Sequence, residues 1–235
     1  MAGFRQSGNN GAFSDQLIQP GDTVLSGEVI TSVTGTVGTT LSAGVICGGL
    51  VTRSGPSANF TDTIDTADNI LNALSGGANN NVPVVEPGTT FRLRIMNNSS
   101  YTETISGQSG VVLGSGTFTL ATVTWREFLV TVLAVQKVQS LLCVTTASST
   151  AVTFSLPIGQ VALAIGPSQY ANNIVTGAVV SGTGIATNTT VAGVTQGQGG
   201  ILGITLSGTA TASGTVLLSF GSTIRLDSLG AGTAQ

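Results

Sequence analysis

From residue 28 onward the chain alternates short runs of β-branched and aliphatic residues with clusters of Gly, Ser, Asn and Pro. Val29 to Val37 interleaves Val and Ile with Thr and Ser until Gly38. Gly44 to Arg53 forms a second run, stopped by Ser54-Gly55-Pro56. In Thr90 to Met96, Phe91, Leu93 and Ile95 share one phase while Arg92, Arg94 and Met96 share the other, the period of a half-buried strand. Asn97-Asn98-Ser99-Ser100 reads as a turn, and Tyr101 to Ile105 as its return, which predicts a hairpin. Gly110 to Leu113, Thr117 to Thr124 and Glu127 to Val135 continue at the spacing expected of a sandwich or barrel. The pattern predicts an all-β fold: a β-sandwich, jelly-roll-like, over residues 28–147.

One segment has a different period. Ala67, Ile70, Leu71 and Leu74 fall on one helical face, with Asp65 at the N-cap position and Gly76 at the stop, so a short helix is expected near 66–75. Asp62, Asp65 and Asp68 lack the spacing of a calcium loop, and capping explains them better than a metal does.

The flanks differ in texture. Residues 1–27 carry six glycines or prolines and no period, which predicts an extended arm whose Phe4, Phe13 and Leu17 anchor on a neighbouring subunit. Beyond residue 147 the chain becomes rich in Gly and Thr, and Ser148 to Thr223 has no charged residue. Residues 148–221 are expected to form a smaller β module with glycine turns. Lacking charged gatekeepers, it must close on itself or have its edges covered by neighbours. Residues 222–235 regain charge as a final strand and tail. If that strand pairs with the first domain, the small module is an insertion.

Composition sharpens this. Only 7% of the 235 residues are charged, against about 25% in an ordinary soluble domain. Surface polarity must come from Thr, Ser, Asn and Gly, which lose less side-chain entropy than Lys or Glu when covered by a partner. Large subunit contacts are therefore expected, and the few charges, notably Arg92, Arg94 and Arg126, are expected to set register between subunits. The net charge of −3 and the absence of a basic stripe argue against nucleic acid. Apolar runs fall short of the ~20 residues of a membrane span, and the first residues lack the apolar stretch of a signal peptide, so synthesis in the cytoplasm is expected.

Little catalytic chemistry is on offer. Without histidine, Ser-His-Asp and Cys-His arrangements are excluded, and two cysteines cannot build a four-thiolate zinc site. Glu86, Glu103 and Glu127 could supply a carboxylate pair, but nothing in sequence pairs them. Lys137 has no context that would make it reactive. No enzyme activity, metal or cofactor is expected. Cys47 and Cys143 both sit in apolar runs and read as buried thiols; a disulfide between them is the alternative.

Three stretches carry a resemblance: Ala58-Asn59-Phe60-Thr61-Asp62-Thr63 with the helix after it, Pro87 to Asn98, and Trp125-Arg126-Glu127-Phe128-Leu129-Val130-Thr131-Val132. In this order they resemble a β-sandwich module of tailed-bacteriophage virion proteins, found in head decoration (cement) proteins and in head or tail fibres. The resemblance spans about residues 29–135, with 222–232 as a further strand. It implies a homotrimer or similar oligomer on the capsid exterior, with sister copies and the major capsid protein as partners. A fibre or spike that binds a receptor, and a bacterial surface adhesin, are the alternatives. Trp125 would then serve as packing or as a glycan platform.

Overall fold

In the computed structural model the described residues are 23–24, 29–75, 85–136, 139–154, 174–197 and 200–233. They are mostly strand, so the fold is all-β and sandwich-like.

The first unit winds back and forth between two sheets. The strands β1 (Thr23–Val24), β2 (Val29–Thr34), β3 (Thr40–Leu41), β4 (Gly49–Ser54) and β5 (Phe60–Ile64) are followed by β6 (Thr90–Asn97), β7 (Glu103–Gly107), β8 (Val111–Leu113), β9 (Thr119–Leu120) and β10 (Thr124–Ala134). From β2 to β10 successive strands fall in opposite sheets. The larger sheet has the order β2-β4-β6-β10, then the last strand of the chain, then β8, with β1 set against the start of β6. The smaller has the order β3-β5-β7-β9. A chain that visits the other sheet between neighbours returns in the same direction. Hence β2, β4 and β6 run parallel, as do β3, β5 and β7. This departs from the antiparallel order of a jelly roll.

The expected hairpin is replaced by a crossing, because β6 and β7 lie in different sheets. Asn97 is the physical reason. Fully buried, its side-chain amide donates to the carbonyls of Tyr101 (2.7 Å), Ala121 (3.1 Å) and Leu120 (3.3 Å). Its carbonyl oxygen accepts from the backbone and hydroxyl of Ser99. Those bonds steer the chain across the sandwich instead of back along β6.

Two helices cover one end of the core. The expected one is α2 (Ala67–Leu74), capped by Thr66, whose hydroxyl accepts from Asn69 N at 3.3 Å. Asp65 is not the cap but a clasp. It accepts from the Thr66 backbone, the Asn69 amide and the backbone N–H of Ala43. Ala43 opens a second helix, α1 (Ala43–Cys47), where the sequence reads as strand. A short apolar run does not distinguish the two. Ile46 and Cys47, on α1, join Ile70 and Leu71 of α2, Leu93 and Ile95 of β6, and Phe128 and Val130 of β10 in one buried core.

The remaining strands are β11 (Gln139–Thr145), β12 (Ala151–Phe154), β13 (Val179–Gly182), β14 (Val191–Gly197), β15 (Gly200–Leu206), β16 (Gly214–Gly221) and β17 (Thr223–Thr233). Strand β17 runs antiparallel to β10, from Ala134 opposite Thr223 to Thr124 opposite Thr233. Everything between these two strands forms another sheet, in the order β13-β16-β11-β12-β15-β14, with a separate core that includes Cys143, Ile204, Leu218 and Phe220. The second unit therefore begins at β11, at Gln139, ahead of the change of texture near residue 148, because β11 takes β12 and β16 as its neighbours. Its two outermost strands also meet: Val180 N donates to Thr189 O at 2.8 Å and Val191 N to Ala178 O at 2.9 Å. The sheet closes into a six-stranded barrel.

The two units are clasped where the chain passes between them. Ser222 and Gln136, both buried, exchange bonds: Gln136 N donates to Ser222 Oγ at 3.0 Å and Ser222 Oγ to Gln136 O at 3.1 Å. Asp68 of α2 accepts from Ser222 N at 2.8 Å, and Gln136 Oε1 accepts from Val175 N at 2.9 Å. Gly110, with φ 78°, makes the close approach possible, since a Cβ there would lie 2.2 Å from Ser222 O.

Candidate interaction surfaces and the buried charge cluster

Strand parity locates the charges. Arg53 shares the inward phase of Gly49 and Val51, Asp62 that of Phe60 and Ile64, and Glu103 that of Ile105. All three are fully buried between the sheets. The Arg53 guanidinium donates from Nε and Nη2 to the Asp62 carboxylate and from Nη2 to Val37 O (2.7 Å) and Nη1 to Val33 O (3.1 Å). It also lies 5.0 Å from the centre of the Phe60 ring. Asp62 accepts a further bond from Thr39 N at 2.8 Å. Neither oxygen of Glu103 receives a hydrogen bond. Burial first, then the neighbouring Asp62 charge, push its pKa up to about 8, against the pull of Arg53. A proton on Glu103 lets it donate to Asp62, leaving one cation balanced by one anion. This is a structural joint between sheets.

The outer face of the larger sheet carries the residues expected to meet neighbours. Arg92 and Arg94 do point away from the core, but they converge on Glu127 of the adjacent strand, at 2.7 and 2.8 Å. Both arginines thus have an ion-pair partner within the chain. The Arg94 hydrogen bond holds the Glu127 carboxyl below its usual range; burial opposes this, and the Arg92 and Arg94 charges reinforce it. The Arg94 guanidinium also stands 5.1 Å over the Trp125 ring, whose other neighbour is Gly232. Sandwiched so, Trp125 reads as packing. Arg126, on the opposite phase, donates to Ser228 Oγ at 2.9 Å.

The remaining sequence candidates separate. Phe4, Phe13, Leu17 and Lys137 lie outside the described residues. Cys47 and Cys143 are free and buried in different cores, so the disulfide between them is not formed. Burial pushes both thiols up to about 12, which leaves them protonated and unreactive at neutral pH. Glu86 sits at a turn, Glu103 in the core and Glu127 on the outer face, too dispersed to act as a carboxylate pair. Asp62, Asp65 and Asp68 serve three separate partners, and among the described residues no group of three or more acidic or cysteine side chains gathers to hold a metal.

Comparison with family models, curated proteins and solved structures returned no match. The surface itself is therefore the guide to function. Among the described residues no helix is long and apolar enough to cross a membrane. The barrel presents Leu217, 60% exposed, beside Leu142 and Val144, within a rim of Ser140, Ser219, Thr215 and Thr153. All seven basic and ten acidic residues of the chain lie outside residues 138–224. The barrel therefore offers an uncharged surface of hydroxyls and aliphatic groups.

Proposed function

We propose that this chain is a non-enzymatic structural protein of a tailed-phage virion, decorating the capsid exterior as a cement protein. In this reading it is made in the host cytoplasm, associates with copies of itself, as a trimer or a similar oligomer, and clamps neighbouring major capsid subunits. Nucleic acid, membrane and cofactor play no part. The observation that carries the reading is the charge-free barrel, whose Leu217, Leu142 and Val144 sit among short hydroxyl side chains. Such a surface can be covered at low cost in side-chain entropy and without stripping water from ions. Repeated over many copies, interfaces of roughly 1,000–2,000 Å² would add up to resist the pressure of packaged DNA. The arginines spent on Glu127 within one chain further favour contacts made by burial over contacts made by ion pairs.

Counting copies per particle tests it. Hundreds of copies, together with a rise in capsid melting temperature when purified protein is added back, are expected. A dozen copies or fewer, with binding to host cells, would replace the cement reading with a tail fibre or spike.

A further inference from the structure

Most sheet edges among the described residues are short or have a partner along part of their length. The barrel joins its own edges through Val180 and Val191. In the sandwich, β3 and β9 are two residues long and β8 is three, too short to template another strand. Among strands longer than three residues, β2 has no partner along the whole of one side: six residues from Val29 to Thr34, with no charged residue or proline among them.

The free side of β2 can be read from its bonds. Val29 N donates to Gly48 O, Gly35 N to Ser54 O, and Val33 O accepts from Arg53, so the odd-numbered backbone groups face β4. By alternation, Ile30, Ser32 and Thr34 aim their N–H and C=O groups outward, and nothing described pairs with them. On the side-chain level Val33 packs on the core, while Val29, of the same phase, is 56% exposed and Ile30 67%. An unpaired backbone edge beside two uncovered aliphatic groups calls for another strand.

We infer that β2 pairs antiparallel with β2 of a second copy, about a two-fold axis through Thr31. That register sets Ile30 opposite Ser32 of the partner as hydrogen-bonded pairs, using the outward groups of both. It also sets each Val29 against the other Val33, completing the cover that one chain lacks, and brings no like charges together. The strand is thus its own complement, which is the reason a sister copy is the occupant. The larger sheets of two chains become one. The inference does not depend on the virion reading; a dimer that ignored capsids would leave it standing.

Cysteine trapping tests the register, since Cys47 and Cys143 are buried and will not compete. Thr31 faces Thr31 as a non-hydrogen-bonded pair about 4.5 Å apart at Cα, within disulfide range. Thr31→Cys is therefore expected to form covalent dimers on mild oxidation, and Ser32→Cys is not. In sedimentation, Ser32→Pro removes only an outward N–H and is tolerated on an edge strand. It should weaken self-association on the order of tenfold or more while leaving the fold intact by circular dichroism. Wild-type protein that stays monomeric at high concentration, a trimer indifferent to Ser32→Pro, or cross-linking through Ser32→Cys instead of Thr31→Cys would each overturn the inference.

Discussion

The sandwich and the barrel solve the same problem by opposite means. The sandwich holds every charged residue described in the structure and even buries three of them, Arg53, Asp62 and Glu103, between its sheets. The barrel, from β11 to β16, holds none. An open sheet needs short or charged edges to avoid pairing with strangers, whereas a closed one has no edge to defend. Closure is thus what permits the barrel its Gly, Thr and aliphatic composition. The sandwich uses ionic groups differently, as joints that fix one sheet over the other. The contrast also explains why the unguarded β2 stands out, since it combines the open edge of the first unit with the uncharged composition of the second.

The largest effect that separates the units is expected at Arg53. Arg53→Ala leaves Asp62 buried without its cation and the carbonyls of Val33 and Val37 without a donor. A loss of about 3–5 kcal/mol is expected in denaturant titrations, with the barrel's transition unchanged. Unaltered sandwich stability would mean the ionic joint is dispensable.

Next comes the response to pH. Glu103 has a pKa near 8 in the folded chain against an ordinary carboxyl value near 4.5 when unfolded, so between these the native state holds a proton the unfolded chain has lost. Its contribution is full below the lower value and is lost as pH rises through the upper one. Sandwich stability should fall between about pH 4.5 and 8, and Glu103→Gln should flatten that fall. The barrel should show no matching slope, because Cys143, whose pKa is raised to about 12, is its one described titratable group. Parallel pH profiles for both units, measured by thermal melts across this range, would break the contrast.

The smallest effect is at Arg92, 59% exposed, which shares Glu127 with Arg94. Arg92→Ala should cost no more than about 1 kcal/mol and leave oligomeric state unchanged. A change in sedimentation instead would return Arg92 to the role of subunit contact.

Much of this arrangement has a trace in the sequence, at different strengths. Period-two alternation in Thr90 to Met96 correctly separates the core-facing Phe91, Leu93 and Ile95 from the outward Arg92 and Arg94. The same parity, applied to Arg53, Asp62 and Glu103, marks them as inward-facing, a signal that reading for calcium and carboxylate pairs passed over. Their meeting was not legible, because it depends on β4, β5 and β7 being stacked by the winding of the chain. The hairpin expected at Asn97-Asn98-Ser99-Ser100 failed for a related reason. Turn chemistry is local, whereas Asn97 spends its amide on Leu120 and Ala121. Likewise Ala43 to Cys47 became helical, its first turn tied to α2 through Asp65.

What the amino-acid order determined unaided was the class of structure, the place of the helix near residue 70, and a stretch without charge. Each follows from neighbouring residues, through side-chain alternation, helical spacing and composition. The tertiary structure alone decided that strands run parallel by crossing between sheets, that the uncharged sheet closes, and that Arg92 and Arg94 answer to Glu127. These depend on residues distant in the chain meeting in space, where packing and buried hydrogen bonds outweigh local preference.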